Sequence, residues 1–117
     1  MKYFTLLVGL AFLCGCTTAP SGVKDDPSYS SDVQPLFNAS CAACHSGSSP
    51  SGNYDLSSRA GALGPGSDTV ANVVAGQPDS SLLYQRLEAG TMPPSGRWDS
   101  VKVHTVRNWI ARGAKEN

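Results

Sequence analysis

What this chain lacks narrows it quickly. Charged residues are only 15% of the sequence, with a formal net charge of zero and no basic stripe. That argues against nucleic-acid binding and against steering of a partner by a single-signed face. No alternation of strand and helix patterns is visible, which removes the α/β setting where a thioredoxin-like C-x-x-C opens a helix. There is no internal repeat. The longest apolar stretch, Tyr3 to Leu13, is too short to span a bilayer. Histidine and methionine are scarce, two of each. Beyond the N-terminus, the thioether and imidazole donors reduce to His45, His104 and Met92.

Four cysteines are present, and two of them stand in the run Cys41-Ala42-Ala43-Cys44-His45. A Cys pair at i and i+3 lies on one side of a helical turn. The histidine that follows completes C-x-x-C-H, the attachment sequence for c-type haem. Cys41 and Cys44 can then form the two thioethers and His45 the proximal iron ligand. A redox disulfide or a Cys-rich zinc site are the competing readings. Zinc wants further ligands, and away from the N-terminal cysteines only His104 is left to supply one.

The N-terminus reads as a lipoprotein signal: basic Lys2, the apolar Tyr3–Leu13, then Leu13-Cys14-Gly15-Cys16. Gly15 suits the small position before a lipidated cysteine, so Cys16 is the expected lipidation site and residues 1–15 the signal. An ordinary secretory signal cleaved elsewhere is the alternative. Cys14 leaves with the signal, Cys16 carries lipid and haem takes the remaining pair, so no odd thiol is left in an oxidising compartment. Removing residues 1–15 takes away Lys2 alone, leaving eight Lys and Arg against nine Asp and Glu. Residues 16–28 read as lipidated cysteine and flexible tether, rich in Pro, Gly, Ser and charge. Residues 29–117 read as one small domain. The expected location is the bacterial cell envelope, lipid-anchored, facing the periplasm or the cell surface.

Within that domain, Val33, Leu36, Phe37 and Cys41 share one helical face. Ser31 or Asp32 suits the N-cap, with Pro35 in the first turn. Ser46 to Asp68 is Gly-, Ser- and Pro-rich and reads as an irregular loop, with Tyr54, Leu56 and Leu63 available to pack on a ring. One of its backbone carbonyls is expected to orient His45. Thr69 to Ala75 spaces Val70, Val73 and Val74 as in a helix. Ser80 to Ala89 reads as a helix capped by Asp79 and closed by Gly90. The last helix, Ser100 to Arg112, carries the stripe Val103, Val106, Trp109, Ile110 and stops at Gly113.

Met92 is the only methionine beyond the signal, and two prolines follow it. A thioether opposite imidazole is the ligation typical of cytochromes c. His104 falls on the polar side of the last helix, which reads as solvent-facing. Arg86 is read as either a partner for a haem propionate or a solvated helix face. Trp98 lies along the haem edge or in the core. The order C-x-x-C-H, GQPDSSLLYQRL, Met92-Pro93-Pro94, then Trp109-Ile110-x-x-Gly113-Ala114 resembles the small class I-like monohaem cytochrome c domains of bacterial envelopes over residues 29–114. It is most similar to the variety closing with M-P-P and W-I-x-x-G-A.

The resemblance implies an all-α, cytochrome c-like fold of three to five helices around one covalent haem c. First and last helices would cross with haem in a crevice between them, and a long proximal loop would wrap the ring. It places Cys41 and Cys44 at the thioethers, with His45 and Met92 as axial ligands. The function it implies is one-electron transfer between transient donor and acceptor proteins, with membrane contact through lipid on Cys16 and no nucleic acid. No fused catalytic domain is present, so no enzymatic role carries over. The alternatives are a haem-based ligand sensor or peroxidase-like enzyme with an open sixth site, and a non-haem lipoprotein with Cys41 and Cys44 in a disulfide.

Overall fold

The computed structural model describes Gly15 and residues 18–117. The rest of the expected signal, together with Cys16, lies outside the described residues. Among those described there is no strand, and no helix is long and apolar enough to cross a membrane.

The first helix starts earlier than its caps suggested. A π-helical turn, Tyr29–Val33, runs directly into α1, Gln34–Ser40. Ser28, not Ser31 or Asp32, is the N-cap, with its hydroxyl accepting from the Ser31 N–H. Asp32 accepts from the Ser28 N–H at 2.8 Å. The cause lies in Pro35, which cannot donate to the Ser31 carbonyl and crowds it. The wider turn accommodates that, with the Gln34 N–H reaching back to the Tyr29 carbonyl. Val33 and Phe37 are fully buried, as their spacing required.

Three further helices follow: α2 (Arg59–Ala62), α3 (Leu82–Ala89) and α4 (Ser100–Ala111). α2 interrupts the loop expected to be irregular throughout. Its Gly61 is required by close approach, since a Cβ there would sit 2.2 Å from the Asp55 carbonyl oxygen. Thr69 to Ala75 is not helical. Its carbonyls are used elsewhere: Ala71 and Asn72 accept from the N–H groups of Leu82 and Leu83 at the start of α3. β-branched valines do nothing to favour a helix against that. Asp79 is not a cap but the middle of a 3₁₀ turn, Pro78–Ser80. Ser81 precedes α3, and its buried hydroxyl accepts from Val74 N–H and donates to the Gln77 carbonyl.

α4 matches its pattern. Asp99 caps it through the Lys102 N–H, and Val103, Val106, Trp109 and Ile110 are buried. It packs on the first helix, where the Trp109 and Tyr29 rings lie 5.2 Å apart. The segment read as free tether is partly docked. The Lys24 and Asp25 carbonyls accept from Asn108 and Arg112, Lys24 pairs with Asp32, and Pro27 is buried. The packed region therefore begins before Tyr29. At the other end, Asn117 accepts from the N–H groups of Tyr29 and Ser30, tying the last residue to the start of the first helix.

Candidate functional site

Cys41 ends α1, and the chain leaves it in a further turn. The N–H groups of Cys44 and His45 both return to the Cys41 carbonyl, at 3.2 and 2.8 Å. That turn gives Cys41 and Cys44 different settings, one buried and one exposed, with both thiols free. Burial pushes the Cys41 thiol up to about 11, and the neighbouring Cys44 adds to the effect.

The histidine is held from two directions. Its Nδ1 lies 3.1 Å from the Tyr54 carbonyl, and its own backbone carbonyl accepts from the Leu56 N–H at 2.7 Å. A proton on Nδ1 donated to that carbonyl leaves Nε2 as the free donor atom, the usual way a ligating imidazole is fixed in one tautomer. The loop carbonyl expected from sequence is thus Tyr54's. Tyr54 is itself anchored, with its buried phenol donating to the Ala62 carbonyl at 2.7 Å. Burial pushes that phenol well above the ordinary tyrosine value, with lesser contributions from Cys41 and Tyr29.

Met92 reaches the site from the far end of α3. Gly90 closes that helix at φ 74°, a left-handed conformation that favours glycine. The N–H groups of Thr91 and Met92 then both return to the Arg86 carbonyl. The chain is folded sharply back on its own helix, and Pro93 is buried behind Met92.

These pieces meet. Cys41, Cys44, His45 and Met92 all line one cavity of about 610 Å³, with Tyr54, Leu56, Asn72, Leu83, Leu87 and the two prolines among its walls. A cavity of several hundred Å³ with mainly apolar walls and a few placed polar groups suits a cofactor. The donor set fits a c-type haem: two thiols for the thioethers, an imidazole with its second nitrogen committed, and one thioether sulfur. Zinc fits less well, because among the described residues no three of His, Cys, Asp and Glu cluster to hold a metal.

The cavity walls sort the remaining candidates. α4 contributes no wall residue, so the crevice lies between the end of α1, the loop, α3 and the Met92 turn. α4 backs that assembly through the core. Leu63 packs on the core from its edge and does not line the cavity. His104 is also absent from the walls; its Nδ1 lies 2.8 Å from the Ser100 carbonyl in its own helix. Trp98 is buried in the core, away from the cavity, with its indole N–H unpartnered. Arg86 does line the cavity, and its guanidinium lies 3.5 Å from Asp68. Asp68 and the buried Asn72 were missed in the sequence. Asn72, whose amide donates to the Gly64 carbonyl, sits in a segment that reads as helix and carries no signal for a cavity wall.

Residues 41–96 match a family model described as Planctomycete cytochrome C. That stretch is similar to a c-type cytochrome domain. The match opens on Cys41 and runs four residues past Met92, so it spans all four candidate donors in the cavity. The all-α, cytochrome c-like fold agrees with it. Neither the curated proteins nor the solved structures include a match to the chain.

Proposed function

We propose that this protein is an envelope electron carrier with one covalent haem c, held by thioethers at Cys41 and Cys44 and ligated by His45 Nε2 and Met92 Sδ. The observation that carries the reading is convergence: Met92, remote in sequence, lines the same cavity as the complete C-x-x-C-H run. Bound there, haem would supply a reversible one-electron couple.

The chain's own residues do the rest. The Tyr54 carbonyl lies within hydrogen-bond reach of His45 Nδ1, which would hold the ring in one orientation toward a bound haem. The turn after Gly90 presents Met92 from a backbone tied to α3. With His45 and Met92 both serving as donors, no position would be left open for substrate, and little rearrangement would accompany one-electron transfer. Leu56, Leu83 and Leu87 give the cavity apolar wall area. Arg86 is placed at its wall to meet a propionate, with Asp68 as its present partner. Lipid on Cys16 would confine the domain to a membrane surface, where it would meet donor and acceptor proteins transiently.

The deciding experiment is an absorption spectrum of the matured protein, ferric and then dithionite-reduced, extended to the near-infrared. A c-type α-band together with the weak far-red band of an iron–thioether bond is expected. An α-band without the far-red band would remove Met92 from the iron and return weight to an open-site sensor or peroxidase. No haem spectrum at all would overturn the reading.

A further inference from the structure

The segment between the expected lipid site and the first helix is held at one end. On α4, the Asn108 amide donates to the Lys24 carbonyl at 2.9 Å, and the Arg112 guanidinium to the Asp25 carbonyl at 3.0 Å. The Lys24 ammonium lies 2.6 Å from Asp32 on the first helix, and Pro27 is fully buried just beyond. Lys24 to Pro27 is thus a strap laid across the seam between the first helix and α4. At its edge, Gly22 and Lys24 border a small groove with Asp32, Leu36, Lys102 and Thr105. None of these residues, nor Asn108 or Arg112, lines the larger cavity.

Reach decides what the strap does. Between Cys16 and the strap only residues 17–23 remain, a leash of at most about 23–25 Å when stretched. A turn shortens it further, since the Val23 N–H returns to the Pro20 carbonyl at 3.3 Å. A domain of about 90 residues has a radius of gyration of about 12 Å, hence a half-circumference of roughly 50 Å. So short a leash cannot pass round the domain to its far side. With the strap released, residues 17–28 would reach about 40–43 Å.

Resting on the lipid-anchor part of the proposed function, we infer that the strap orients the domain on the bilayer. The seam of the first helix and α4, around Lys102, is the membrane-facing surface, and the cavity mouth at Ser67 is held off the lipid. The partner is a phospholipid surface that needs no net charge. Lys24 and Lys102 are already paired with Asp32 and Asp99, so leash length and not headgroup attraction sets the contact.

The matured, lipidated chain carrying Ser67→Lys, in phosphatidylcholine vesicles, tests this. Ser67 is exposed and lines the cavity, so the substitution places a reporter amine at the mouth. A small share of the phospholipid carries an amine-reactive headgroup. Mass spectrometry reads acylation at Lys102 and at position 67, each normalised to a water-soluble reagent of the same chemistry. Lys102 should react about tenfold more, because the leash withholds the other face from the confined reagent. Inserting about twelve Gly and Ser residues after Thr18 leaves the strap docked but extends the leash beyond roughly 60 Å, and should bring the ratio near one. Asn108→Ala with Arg112→Ala, which frees the strap, should lower it part-way.

Equal labelling without the insertion would overturn the inference, as would a ratio that the insertion leaves unchanged. So would a preference that appears only when anionic phosphatidylglycerol is added. Each of those outcomes leaves the lipid anchor standing. A chain that does not stay with the vesicles would overturn the anchor and this inference with it, while the absorption spectrum still tests the haem separately.

Discussion

The helical frame and the loop that closes the cavity hold their shapes by different means. The frame, formed by the first helix, α3 and α4, is a side-chain assembly: Val33, Phe37, Leu87, Val106, Trp109 and Ile110 interlock with almost no exposure. The stretch from Cys44 to Asn72 buries few apolar residues, chiefly Tyr54, Leu56 and Ala62. It is fixed by single hydrogen bonds: His45 to Tyr54, Tyr54 to Ala62, Ser67 to Gly52, Asn72 to Gly64. A net hydrogen bond contributes about 1 kcal/mol, whereas a buried aromatic contributes several. The frame therefore has packing of its own, the loop needs something inside it, and neither holds fully once the cavity is empty. A small domain with a modest core gains most from such a staple.

Removing the staple should have the largest effect. The Cys41→Ser, Cys44→Ser double variant is expected to lose covalent haem, cooperative melting and amide protection, with the loop from Tyr54 to Asn72 exchanging first. Hydrogen exchange followed by mass spectrometry reads both regions at once. A sharp melt with loop amides still protected would show that the loop supports itself, and the contrast between the two regions would fall. Next in size is Phe37→Ala, which empties a fully buried site in the frame and should cost about 3–5 kcal/mol in denaturant titration of the matured protein. Both regions should be lost together, because the loop has no independent core to fall back on.

Tyr54→Phe tests the loop on its own terms. It deletes the donor to the Ala62 carbonyl, leaving a buried acceptor unsatisfied at a cost of about 1–3 kcal/mol. The loss should be local: faster exchange around Ala62 and Leu63, with frame amides unchanged. Uniform acceleration across the molecule would mean that the loop and frame open as one unit.

The same contrast explains what the sequence disclosed. α4 was readable because four buried residues repeat at helical spacing, and its packing partner on the first helix follows the same rule. Cys41, Cys44 and His45 are close together in the chain, and Met92 is the one methionine beyond the expected signal, so candidate donors could be named without a fold. The loop was opaque because its structure is written in backbone carbonyls. Nothing in the letter at position 54 says that its C=O meets His45, and nothing at position 71 or 72 says that those carbonyls start α3 instead of continuing a turn. The starting point of the first helix failed for a similar reason: Pro35 suggested a first turn, while the π turn that accommodates it moved the cap back to Ser28. Asp68 could be found only once Arg86 was seen at the cavity wall.

The smallest expected effect probes where the frame meets the segment that precedes it. Asp32 accepts from the Lys24 ammonium and from the Ser28 N–H, and these bonds hold its carboxyl below the ordinary carboxylate value. A carboxyl lowered in the folded state stabilises it fully above its unfolded pKa, about 4, and loses that contribution as pH falls through the lower folded value. Asp32→Asn should therefore be less stable than wild type at neutral pH by a few tenths to about 1 kcal/mol, the usual worth of a partly exposed pair. The two curves should converge as acid protonates Asp32 in the wild type, and added salt should narrow the neutral-pH gap by screening Lys24. Thermal melts of the matured protein from pH 7 down to pH 3 read this directly. If the gap persists unchanged into acid, Asp32 acts through the shape of its cap alone, and the segment from Lys24 to Ser28 is held to the frame by Asn108 and Arg112 without help from charge.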